Sequence, residues 1–200
     1  REAKRTGMTP PLDHAQLAET VGTEMPDWAR LLDGVKSVAA GAESADSYHR
    51  AVERLLSALF YPWLVSPELE YPIHQGRKRI DIKYVNGARE GFFWWLANNY
   101  PAAYVFVECK NYSGDPANPE LDQLAGRFSP SRGKLGLLIC RGFEDKELFI
   151  ERCRDTARDE RGFIVALDDG DLEYLVESAR SDAPARQFEL LQKRFEELIM

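Results

Sequence analysis

The run Tyr104-Val105-Phe106-Val107-Glu108-Cys109-Lys110 constrains this chain more than any other stretch. Its β-prone, largely apolar residues lead into an acid, one spacer and a lysine. Side chains alternate along a strand, so Phe106, Glu108 and Lys110 share one face, and Val105, Val107 and Cys109 the other. Such a run reads as a buried, central strand. Charge at its end is costly unless a metal ion or an anionic substrate compensates it.

The segments around it predict how that strand is covered. Arg77 to Val85 alternates cleanly, with Ile80, Ile82 and Tyr84 on one face and Arg79, Asp81, Lys83 and Val85 on the other. Asn86-Gly87 turns the chain, and Leu69 to Ile73 reads as a short edge strand hemmed by Pro67 and Pro72. Ser44 to Phe60 is helical, with Tyr48, Val52, Leu55, Leu56 and Leu59 along one stripe and Ser44 or Asp46 as its cap. Asn118-Pro119-Glu120 starts a second helix, capped by Asn118 and carrying Leu121, Gln123 and Leu124. Two further apolar strands, Leu135 to Cys140 and Phe163 to Leu167, are separated by an amphipathic helix from Asp145 to about Arg161 that stops at Gly162. Helices over 171–179 and 187–199 follow. The aromatic run Phe92-Phe93-Trp94-Trp95 is expected to pack in a core rather than to stack on bases.

Hairpin-connected early strands and helix-separated later ones predict an α/β fold with a mixed β-sheet flanked by helices on both faces. Residues 1–43 read as a partly helical arm, with one short helix after Pro26-Asp27 carrying Trp28, Leu31, Leu32 and Val35. The main domain is expected over 44–180, and a C-terminal helix over 181–200. The sequence leaves open whether the arm packs on this domain or on a neighbour.

With 44% hydrophobic and 30% charged residues, the composition is that of a globular protein. No apolar run reaches the length of a membrane span. Cys109, Cys140 and Cys153 are far apart and form no Cys-x-x-Cys pair, which excludes zinc-finger and disulfide frameworks and points to a reduced, cytoplasmic protein. The net charge of −7 excludes non-specific coating of nucleic acid as the main activity. Between Arg77 and Arg141, however, ten Lys/Arg stand against six Asp/Glu. That local excess suits an anionic substrate, with Arg77, Lys78, Arg79, Arg132 and Lys134 as phosphate contacts and Lys83 as a solvent or substrate contact.

Asp81 and Glu108 sit on strands that pairing would bring side by side. Two convergent carboxylates suit Mg²⁺, which takes oxygen ligands and keeps several waters. Such an ion lowers the pKa of water and neutralises a phosphodiester, and Lys110 is placed to orient water or stabilise developing charge. His49 reads as a surface or capping histidine rather than a ligand, and the sequence offers no partner for His14 or His74. No Gly-x-Ser-x-Gly, phosphate-cradling glycine loop or zinc spacing occurs.

In this order, Ile80-Asp81-Ile82 and Val107-Glu108-Cys109-Lys110 resemble the signature of the PD-(D/E)XK nuclease superfamily, over roughly residues 44 to 170. The proline of the superfamily's name is absent, since Arg79-Ile80 precedes Asp81. The resemblance implies a restriction-endonuclease-like fold, with Glu53 on the first helix assisting the metal and Gln123 supporting the site. It implies a DNA endonuclease of a restriction or phage-defence system that uses Mg²⁺ (or Mn²⁺), with the Cys109 carbonyl helping Asp81 and Glu108. A homo-oligomer or larger defence complex would be in keeping with such a role. Two alternatives remain: a silent nucleic-acid-binding or scaffold module, and an effector nuclease switched on by a partner or ligand.

Overall fold

Five strands form one sheet in sequential order, β1 (Leu64–Ile73), β2 (Lys78–Asn86), β3 (Tyr104–Lys110), β4 (Leu135–Cys140) and β5 (Phe163–Leu167). The computed structural model describes residues 11–112, 114, 116–181 and 188–200. The first ten residues of the arm, Ser113 and Asp115 of the loop after β3, and Gln187, the expected start of the last helix, lie outside the described residues. β1 and β2 form an antiparallel hairpin, β2 pairs antiparallel with β3, and β3, β4 and β5 run parallel. The mixed sheet expected from the spacing of the elements is therefore the sheet observed. β3 is its centre, with Val105, Phe106 and Val107 fully buried. Each such side chain contributes roughly 1.5–3 kcal/mol on burial.

Two groups of helices cover the sheet. Trp28–Lys36 (α2) and Ala45–Phe60 (α3) pack with Asp169–Arg180 (α7), while Asn118–Ala125 (α5) and Glu189–Ile199 (α8) pack on Lys146–Arg158 (α6). His14–Val21 (α1) buries no residue of its own, in keeping with its sparse apolar pattern. Gly91–Asn99 (α4) contains the whole aromatic run but places only half of it in the core, burying Phe92 and Phe93 with Leu96 and leaving Trp94 and Trp95 exposed. No helix among the described residues is long and apolar enough to cross a membrane.

The arm packs on the domain. Val35 is fully buried in the common core, Arg141 donates to the carbonyls of Val35 and Val38, and Asn111 donates to those of Ala39 and Gly41. Three local expectations are corrected. The N-cap of α5 is Ala117 rather than Asn118, and the Glu120 carboxylate satisfies the Ala117 amide at 2.8 Å. Ser44 precedes α3 without a capping hydrogen bond from its side chain, the preceding residues 42–44 forming a 3₁₀ turn instead. The edge strand β1 begins at Leu64 and absorbs both prolines, because its outer edge has no ladder to lose.

Candidate active site

The pairing of β2 with β3 stops at Ile82↔Val107, one residue short of Asp81 and Glu108. Past that pair the Cys109 amide donates to Asp81 Oδ2 at 2.8 Å. Asp81 thereby stands in the fork where the two strands part. One more step of the same register sets it opposite Glu108, so alternation places both carboxylates together.

Glu108 is 1% exposed. Its Oε1 accepts from Lys110 Nζ at 2.9 Å and from Gln123 Nε2, and Lys110 Nζ also reaches Gln123 Oε1 at 3.2 Å. α5 is anchored by buried Leu121 and Leu124, and Gln123, on its exposed side, reaches back with its side-chain amide to Glu108 and Lys110. Among the described residues, Glu108 Oε2 is buried without a hydrogen-bond partner. A bare oxygen on a buried carboxylate is expensive, and it marks where a cation would be received.

The protonation equilibria agree. Burial raises the Glu108 pKa, the Asp81 charge raises it further, and Lys110 and Arg127 only partly offset them. Burial likewise raises Asp81, against the Cys109 amide, His49 and Lys110. Both acids therefore hold a proton more avidly than free carboxylates, because burial and their mutual repulsion disfavour the charged forms.

Other residues expected at the site are distributed unevenly. Lys78 and Arg79 open β2, which runs antiparallel to β3, so they lie at the Lys110 end of the sheet. Arg77, in the turn before them, donates to the His74 carbonyl at 3.0 Å, and Arg79 lies 3.4 Å from Glu70. Arg132 and Lys134 precede β4, which is parallel to β3, and this sets them at the opposite end. There Lys134 donates to the Glu160 carbonyl and Arg132 to that of Arg127. Lys83 is not a solvent contact. It is 8% exposed, 2.5 Å from Glu68 and 3.8 Å above the Tyr71 ring, because the alternation that aims it out of the strand aims it under two tyrosines. Glu53 accepts from Ser57 at 2.7 Å, one turn along its own helix. The Cys109 thiol is buried and its pKa raised well above the ordinary value by burial.

From α3, His49 reaches Asp81, and Asp46 lies beside His49. His49 Nε2 lies 3.6 Å from Asp81 Oδ2, and Nδ1 lies 3.1 Å from Glu70 Oε1. Asp46, His49 and Glu70 bring one ligand atom each within 4.8 Å of one another. An imidazole with two carboxylates suits Mn²⁺ or Zn²⁺ better than Mg²⁺. Reading the sequence missed this group because it joins one helix to an irregular edge strand, and only the helical spacing of Asp46 and His49 was visible. Arg127 was missed too. It is buried, and its charge acts on Glu108.

No family model and no curated protein matches this chain. Among solved structures, the restriction endonuclease FokI is similar over 92% of this chain, with a TM-score of 0.52 and 12% sequence identity. The chain spans 33% of the length of that protein. At this identity the likeness establishes the fold: a five-stranded mixed sheet flanked by helices, of the restriction-endonuclease-like kind.

Proposed function

We propose that this chain is a metal-dependent nuclease that hydrolyses DNA phosphodiester bonds. The observation that carries the reading is the bare, buried oxygen of Glu108 beside Asp81, with Lys110 hydrogen-bonded to the same carboxylate. The likeness in fold to a restriction endonuclease supports it.

Asp81 and Glu108 are the residues that would hold a divalent cation, Mg²⁺ or Mn²⁺, with His49 and Glu70 beside Asp81 as a further nitrogen and oxygen donor. The bound ion supplies charge neutralisation at the phosphodiester and lowers the pKa of water. The protein does the rest. The Cys109 amide fixes the Asp81 carboxylate, and Gln123 and Lys110 fix that of Glu108, so the two acids need little reorganisation on binding. Lys110, hydrogen-bonded to Glu108, orients the attacking water and stabilises the charge that develops on the phosphate. Lys78 and Arg79 at the same end of the sheet hold the flanking phosphates. A place in restriction or phage defence is the setting we favour for this activity.

The test is cleavage of supercoiled plasmid with Mg²⁺ or Mn²⁺, together with calorimetric titration of the same ions. Wild type is expected to cut, and Lys110→Ala and Glu108→Ala to lose cutting by about a hundredfold or more with the fold intact. Wild-type protein that neither cuts nor binds either ion would overturn the reading.

A further inference from the structure

At the other end of β2 from Asp81, about 17 Å along the strand, lies a cavity of about 470 Å³ between the start of β1, α4 and α8. That volume is in the range of small-molecule sites. Its walls are aromatic: Trp63, Phe92, Trp95 and Phe188. They are held in place by edge-to-face contacts that leave little freedom to collapse. Phe188 stands 4.8 Å from Trp63 at 87° and 5.2 Å from Phe93 at 71°, and Trp95 meets Phe195 at 5.9 Å and 87°.

The rim is acidic. Glu90, Glu189 and Glu196 line the same cavity, and among the described residues no Lys, Arg or His does. Three carboxylates around aromatic walls repel phosphate, which argues against base stacking in this cavity. They attract the opposite sign, and the negative faces of indole and phenyl rings add to that attraction when the charge is carried on an apolar frame. Nothing in the proposed cleavage chemistry uses this cavity.

We propose that the cavity binds an organic cation, an ammonium or guanidinium group on an apolar frame. The cation enters between the indoles of Trp63 and Trp95 and is neutralised by the glutamates of the rim. The same chemistry has two sources, a free amine metabolite or a basic side chain of a partner protein.

Choline and its uncharged isostere 3,3-dimethylbutan-1-ol are titrated against the full chain. Tryptophan fluorescence and the indole Nε1–H resonances provide the readout. N-acetyl-arginine amide and N-acetyl-trimethyllysine amide form the partner arm. Choline or an amide is expected to bind about tenfold more tightly than the neutral isostere. Preference for the amides assigns the site to a partner's side chain, and preference for choline to a free amine. Trp95→Ala removes the binding. Because Trp95 also packs on Tyr100 and Phe195, the exposed Glu196→Gln and Glu189→Gln serve as second variants, and each weakens the cation without changing the isostere. Equal affinity for cation and isostere, or cation binding untouched by either glutamate substitution, would overturn the proposal.

Discussion

Glu108 and Lys83 are both buried charges, and the structure treats them oppositely. Lys83 is fully compensated by Glu68 and two tyrosine rings, whereas Glu108 keeps one oxygen bare. Lys83→Ala is therefore expected to cost about 1–2 kcal/mol in denaturant unfolding, while the salt dependence of DNA binding stays as in wild type. Glu108 behaves differently. Its folded pKa is raised above the unfolded value, as is that of Asp81, so the folded state holds the extra proton. For the metal-free protein, the contribution of this pair to stability is greatest below the ordinary carboxylate range and falls as pH rises through the raised values. Thermal melts in EDTA across that range are expected to show this loss, and Glu108→Gln to flatten it. At this scale the sequence was legible where alternation along two strands governs, as with Asp81, Glu108 and Lys110. It was not legible for His49 and Glu70, whose meeting depends on how a helix lies over a strand kinked by positive φ at Ser66 and Glu70.

Among the elements, α5 decides where Gln123 sits, and α5 is docked through a missing side chain. A Cβ on Gly136 of β4 would stand 2.9 Å from Leu124 Cδ2 and 2.9 Å from Phe128 Cζ. The side chains of Leu124 and Phe128 fill the space a Cβ would take, so a larger residue there makes them shift. Gly136→Ala is expected to cost about 1–3 kcal/mol and, by lifting α5, to lower cleavage more than the loss of stability explains, as read by single-turnover rates at saturating metal. The central and later strands and the helices α5 and α6 were legible because each carries its own period, whereas the four consecutive aromatics of α4 have none and read equally as a short helix or a packed loop. The close approach of α5 was not, since a glycine within an apolar run signals small size without saying what fills the space.

For the whole molecule, Arg141 ties the arm to the sheet. It donates to Asn111, to Val35 and to Val38, and its guanidinium lies 4.3 Å over the Tyr48 ring. Arg141→Ala leaves two carbonyls and an amide oxygen short of a donor, and is expected to cost about 3 kcal/mol in chemical denaturation. The proposed divalent cation belongs to this scale as well. At about a hundred times its dissociation constant it is expected to add about 2.7 kcal/mol. That corresponds to roughly 5–10 °C in thermal midpoint for a domain of this size, and Glu108→Gln should abolish the gain.

The place where β2 and β3 part also bears on how the chain folds. Asp81 and Glu108 are brought together by strands joined through α4, and Lys110 is secured by Gln123 on the helix that follows. The two acids face each other only once contacts this distant in sequence have closed, a step expected late in folding. On the proposed function, a cation is therefore expected to meet its ligands in the finished protein and not in the transition state. Mg²⁺ should slow unfolding and leave the refolding rate unchanged, as stopped-flow measurements on both limbs of the chevron would show.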